Sequence, residues 1–414
     1  MAEANKYHYL VVGKGMLGSA AAKYLSAKSD RVAIVGPDEP ADLKTHEGVF
    51  SSHYDSGRIT RILDTEYVWA LAAKRSIEAY PVIEEKSGVK FFQPVGCLKI
   101  VDKNDNGDAY LSANTTMGNK LGVLSERLNH SELQTRWPFL HFGNQCNAIF
   151  ERKTAGHIDP RKLVSAQLVL AKQNQADIFN DTVTQVTRLT SGSLEVKTQS
   201  GNKLEAEKVI ITAGGFTNFN NLLPVKLDLR PRAETVMLAR ISQTMAEVLL
   251  DMPSAIWFIN SRANLTYVYI VPPVRYPDGN FYIKMGGDRE LDHEFSDLQQ
   301  LKEWFHSEGG AEAASDFREL IQEMLPNLKA EAWISKPCVI TDTRTHRPYI
   351  GLVEDNLFVA AGGCGAAAKS SDEFGRLAAL CATGQPDPSY GENAFPVVLA
   401  DDAHTSQSER RFKF

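Results

Sequence analysis

The sequence predicts a mixed chain, α/β plus α+β: a Rossmann-like domain on a parallel sheet, joined to a second, mainly antiparallel domain. Three observations carry this expectation. First, residues 9–12 form an apolar run rich in β-branched side chains that stops at Gly13, and Gly15 and Gly18 follow at the G-x-G-x-x-G spacing before a small-residue helix. Second, the run 208–212 ends in Ala213-Gly214-Gly215, and the run 357–361 ends in Gly362-Gly363-Cys364-Gly365, so two more buried-type strands finish in glycine turns. Third, residues 230–285 change to alternating apolar and polar side chains with a Pro-Asp-Gly turn at 277–279, which is hairpin texture.

Each part of the opening stretch has a physical task. Gly13 permits a tight turn, Gly15 lets backbone amides approach a phosphate, and Gly18 lets the helix pack on the strand. Met16 and Leu17 begin that helix, whose positive end suits a dinucleotide pyrophosphate. The second strand, 31–35, is followed by Gly36-Pro37-Asp38 where a ribose-binding acid is expected. Either Asp38 takes that role from slightly further along, or backbone and water hold the ribose. The segment 51–61 is dense in polar donors and ends in Arg58 and Arg61, three apart as on one helix face. An amphipathic helix over 67–80, strands at 91–92 and 95–101, and a turn at 104–108 come next. A short helix at 131–136 stops at Pro138, and Asp159-Pro160 reads as N-cap and first residue of another helix running to about 172. His157 has no nearby partner for a dyad or metal set and reads as structural. Helices are expected at 298–306 and 316–324.

Composition removes several functions. A net charge of -6 argues against nucleic acid or an anionic membrane as the main partner. Five cysteines without a C-x-x-C pair give neither a disulfide framework nor a zinc site, so no metal is expected. The first six residues lack a secretory signal, no apolar run is long enough to span a bilayer, and a cytoplasmic location is the default expectation.

Taken together, Gly13-x-Gly15-x-x-Gly18, Ser52-His53 through Arg58-x-x-Arg61, Arg136-Trp137-Pro138 with the run 147–151, Lys284, Cys338-x-x-Thr341 and Ala361-Gly362 through Lys369 resemble the FAD-dependent D-amino-acid oxidase superfamily. The resemblance is to its monomeric sarcosine oxidase and N-methyltryptophan oxidase branch and covers nearly the whole chain. It implies a Rossmann-like FAD-binding domain from residues 1–85, 152–226 and 329–390, a substrate domain from 86–151 and 227–328, and a tail at 391–414. The cofactor implied is FAD, carried as a thioether by Cys338; read on its own, Cys338 is a buried small hydrophobe. Gly13, Gly15, Met16, Leu17, Gly18, Asp38, Ser52, Arg58, Val183, Ala213, Gly214, Gly363, Gly365 and Lys369 complete the expected cofactor contacts. Lys284 matches a lysine that promotes reaction with oxygen, and Arg58 an arginine stacked near the flavin ring. Arg61 and Lys369 match the pair that clamps a substrate carboxylate, with Tyr269 and Asp288 beside them.

Two departures bear on the substrate. Asp288 stands where sarcosine oxidases have a histidine, and Ile340 where they have a tyrosine. An acid facing the site would favour a substrate with an extra positive charge, or bind the amine directly. The expected reaction oxidises a C–N bond of an amino acid, a secondary (N-alkyl or cyclic) amine, to an imine that hydrolyses. Oxygen is reduced to hydrogen peroxide, by a monomer or small homo-oligomer. A dehydrogenase serving a quinone or carrier protein, and a non-catalytic flavin-binding protein, share the fold.

Overall fold

The computed structural model describes residues 6–143, 145–259, 265–289 and 293–400. Strand Lys6–Val12 lies between Val32–Val35 and Lys203–Ile211, parallel to both, with Val12 opposite Val35 and Ile211. The three strands therefore end level, at Gly13, Gly36 and Thr212, and open a crevice beyond their carboxyl ends. Strand Leu357–Ala361 pairs parallel with the second half of Lys203–Ile211, and the hairpin Val183–Arg188/Leu194–Thr198 pairs antiparallel with its first half. Side chains alternate across this sheet: Val11, Ile34 and Ile210 enter one core, and Leu10, Val12, Ala33 and Val35 another.

Helix Met16–Ser26 packs against the sheet at contact range. A Cβ on Gly18 would fall 1.9 Å from the Gly13 carbonyl oxygen, and Gly13 itself sits at φ +107 with Thr212 closing over it. Only glycine fits either position. Helix Pro160–Gln173 starts as its sequence expects, with Asp159 accepting from the Lys162 amide at the N-cap. Asp372, in the first turn of Ser371–Ala382, accepts from Lys23, from Tyr24 at 2.7 Å and from Gln167 at 3.0 Å, tying these three helices together.

The second sheet has eight strands in the order Ala330–Thr343, Leu229–Ile241, Phe281–Arg289, Leu265–Arg275, Ser254–Phe258, Cys97–Asp102, Cys146–Glu151, Ser125–Asn129. Every pairing is antiparallel except that of Ser254–Phe258 with Cys97–Asp102. Helix Ala311–Met324 covers one face through Phe317, Leu320, Ile321 and Met324. A small third sheet, Arg58–Thr60 with Gly156–Ile158 and Phe92–Gln93, stands apart.

Four local expectations need correction. Residues 104–108 are no turn: Asn104 accepts from the Gly107 amide and caps the helix Asp105–Leu121. Arg58 and Arg61 lie on and just beyond a strand, not on a helix face. Phe92 belongs to the small sheet, away from the antiparallel block. Residues 330–343, counted with the first domain in the range 329–390, form the strand Ala330–Thr343, the edge of the antiparallel sheet along the whole of Leu229–Ile241.

Candidate active site

A single cavity runs from the glycine loop to the second sheet. Gly13, Gly15, Met16 and Leu17 line its start, Val183, Ala213 and Gly214 its side, and Gly363 and Gly365 the turn from the last parallel strand. Gly15 is the N-cap of helix Met16–Ser26, no side chain caps it, and no acid occupies its first turn. That helix end thus presents unmatched positive character to the cavity, as an anionic pyrophosphate requires. Ser51, Ser52 and Arg58 line the middle, and Cys338 and Ile340 approach from the edge strand. These features fit a long, flat dinucleotide such as FAD.

At the far end Arg61 and Lys369 both line the wall and share one carboxylate. Asp64 Oδ2 accepts from Arg61 Nη1 at 3.4 Å and from Lys369 Nζ at 3.2 Å, and all three side chains are buried. The backbone that carries Arg61 is fixed from the second sheet. Glu151 accepts from the Ile62 amide at 3.0 Å and the Leu63 amide at 2.8 Å, and Thr154 donates to it at 2.7 Å. Behind the pair, Lys99 is buried and donates to Asn114 at 2.6 Å; burial, then the Arg61 guanidinium, pushes it well below the usual lysine range.

The remaining expected residues divide. Tyr269 lines the cavity, and burial raises its phenol above the ordinary value. Arg58 lines it too, with Nη2 donating to the Ser52 carbonyl at 3.0 Å and lying 3.9 Å from the Cys338 sulfur. Lys284 is not among the lining residues: its Nζ is turned to Asp55 and to the Gly57 carbonyl at 2.9 Å, one layer behind the wall. Gly18 serves helix packing rather than the cavity. Asp38 is occupied by Lys14 and does not reach the cavity, so the acid expected at the ribose is absent from its lining.

Asp288 is the clearest correction. It does not line the cavity; it accepts from Arg232 Nη2 at 3.1 Å, while Glu234 and Asp342 accept from the same guanidinium at 2.8 and 3.0 Å. The acid that does line the cavity is Glu234, one strand over and the single carboxylate among the described lining residues. Its neighbours there are Val236, Ile256, Phe258 and Tyr267, an apolar and aromatic end wall. Sequence reasoning passed over Glu234 and Lys14. The available signals were an acid inside a buried strand and a lysine inside the glycine fingerprint.

His53 is buried against Ser51, with its Nδ1 2.5 Å from the hydroxyl. Burial, with the Arg161, Lys14 and Arg58 cations, brings it down to about 3, so it is neutral at working pH. His157 is likewise buried and down to about 4. Among the described residues no cluster could hold a metal ion, and no helix is long and apolar enough to cross a membrane.

Comparison with known proteins gives the family and the likeness of fold. A monomeric sarcosine oxidase from Bacillus sp. (strain NS-129) is 25% identical over 393 residues, 92% of this chain and 94% of that one. Another, from Arthrobacter sp. (strain TE1826), is 28% identical over 237 residues; the match spans 56% of this chain and 57% of the relative. The solved structure of NikD, described as an unusual amino acid oxidase essential for nikkomycin biosynthesis, superposes with a TM-score of 0.74 at 18% identity. It covers 96% of this chain and the whole of that one, a likeness of fold. The family model of the FAD dependent oxidoreductases, DAO, matches residues 8–380, and the chain belongs to that family.

Proposed function

We propose that the protein oxidises the C–N bond of an amino acid bearing a secondary amine, N-alkyl or cyclic, to an imine that hydrolyses, with oxygen reduced to hydrogen peroxide. The observation that carries this reading is the placement of Arg61 and Lys369 on the same cavity as the glycine loop. A guanidinium and an ammonium side by side suit a carboxylate, and anchoring that group orients the neighbouring Cα and amine. Bound FAD supplies the two-electron acceptor. Gly13, Gly15, Met16 and Leu17 would hold its pyrophosphate, Val183, Ala213 and Gly214 its length, and Cys338 would carry it as a thioether. Tyr267, Tyr269 and Phe258 would keep water from the reacting bond. Glu234 would accept from an N–H group of the substrate, which favours an amino acid with a second donor on its side chain.

One observation favours a dehydrogenase: the ammonium expected to assist oxygen lies behind the wall, bound to Asp55. Stopped-flow mixing of reduced enzyme with oxygen separates the two, since a dehydrogenase reoxidises slowly and needs a carrier. Acid precipitation of the yellow protein tests attachment. Flavin stays in the pellet of the wild type and leaves that of Cys338→Ala; flavin free in both removes the thioether. A panel of amino acids scored for peroxide identifies the substrate, and a panel dominated by primary amines overturns the proposed class. The amine reacts as the neutral base, so the rate should rise with pH through the amine's own titration.

A further inference from the structure

We propose that Asp55 is a positioning residue that fixes Lys284 just behind the cavity wall and favours its ammonium form against burial and the neighbouring cations, and so sets the reaction with oxygen rather than the oxidation of the amine. The inference rests on the oxidase reading above.

Lys284 sits in the middle of the second sheet, on strand Phe281–Arg289, with 1% of its surface exposed. A cation there needs a counter-charge. Its surroundings supply little. From the 51–61 segment come Arg58 and Asp55; from strand Leu265–Arg275 comes the Tyr269 ring, 5.6 Å from Nζ; from strand Ala330–Thr343 come Lys336 and Cys338; from helix Pro160–Gln173 comes Arg161. Leu238, opposite Lys284 on Leu229–Ile241, carries no charge. Three of these groups are cations. Burial and then Arg58 push Lys284 well below the lysine range. Asp55 is the carboxylate in contact with Nζ among the described residues, and it is held from every side. Its Oδ1 accepts from the Tyr276 hydroxyl and the Ser56 amide, each at 2.8 Å, while Oδ2 takes Lys284 and the Arg58 guanidinium. An acid fixed by four donors is present for its geometry, and its Oδ2 fastens Lys284 beside Arg58.

Asp55→Asn keeps the shape and removes the charge. In the loaded enzyme, reoxidation by oxygen should slow about tenfold and slow further as pH rises, because Lys284 then loses its proton. Anaerobic reduction by substrate should change less than about threefold. Asp55→Glu should restore part of the loss. A second readout needs no flavin: thermal unfolding of the cofactor-free protein against pH. The wild-type lysine already titrates below its unfolded value, and Asp55→Asn lowers it further, so between the two folded values the variant binds fewer protons than wild type. Stability of the variant therefore rises with pH more steeply than that of wild type through that window, and its deficit shrinks there. Adding Lys284→Met to Asp55→Asn should recover most of the deficit, which keeps the test usable should the single variant fold poorly.

A deficit independent of pH, no recovery in the double variant, or unchanged or faster reoxidation each overturns the proposal. Failure of every amine to bleach the flavin would instead sink the oxidase reading, and the unfolding experiment would still decide the role of Asp55.

Discussion

Two triads of the same composition stand on this cavity: Arg61–Asp64–Lys369 and Arg58–Asp55–Lys284. In the first, both cations line the wall, and the acid between them lies at 3.2 and 3.4 Å. In the second, only the arginine reaches the wall, and the lysine is drawn back to the acid and to a backbone carbonyl. The same three side chains thus make a binding surface in one place and an internal fixture in the other. What separates them is the backbone. Arg61 follows the end of a three-residue strand, where Glu151 seizes the next two amides and turns the chain so that the guanidinium faces inward. Lys284 is mid-strand and takes the direction its register dictates.

Substitutions that strike one triad should leave the other half-reaction alone. The largest effect is expected at Arg61→Met, which removes the planar fork. Anaerobic reduction should lose about 10³ in kcat/KM, roughly 4 kcal/mol, with reoxidation close to wild type. Equal losses in both half-reactions would erase the distinction between the triads. Glu151→Gln comes next. Replacing the charged acceptor of two buried amides should cost about 2 kcal/mol in urea unfolding and weaken binding of carboxylate inhibitors, while the oxygen reaction stays intact. The smallest effect is expected at His53→Gln. With the wild-type imidazole already neutral above about pH 3, the pH profile of reduction between pH 5 and 9 should be unchanged. A profile that loses an inflection would make His53 a titrating participant.

Local chemistry was the legible part of the chain. Gly13 through Gly18, and Asp159-Pro160, state their structure within a few residues, since turns and caps are decided by near neighbours. Helix Asp105–Leu121 was hidden because it is polar, with Gly107 and Gly118 inside it and few buried positions to set a period. The edge strand Ala330–Thr343 was placed with the wrong sheet, because pairing with Leu229–Ile241 is a long-range choice. The site divided the same way. Arg61 and Lys369, 308 positions apart in number, line one cavity and share Asp64. Asp288 was assigned to the cavity because strand position alone does not reveal Arg232, which reaches across from a neighbouring strand and takes it. Glu234, two residues beyond that arginine and bound to it at 2.8 Å, is nonetheless the acid that lines the ligand space.

The order of strands also governs when this protein can acquire its cofactor. The first glycine loop is complete within twenty residues, yet its strand is flanked by one that begins at Lys203, and the last glycine turn follows Leu357–Ala361. During synthesis the amino-terminal fingerprint must wait, unpaired on one edge, until more than two hundred residues have emerged, and the wall carrying Lys369 arrives near the end. Flavin capture is thus expected only once the strands on both sides of the fingerprint have emerged. A ribosome stalled before residue 357 should display a nascent polypeptide with its nucleotide motif translated and no yellow colour, and maturation should depend on how long that edge can be kept from pairing elsewhere.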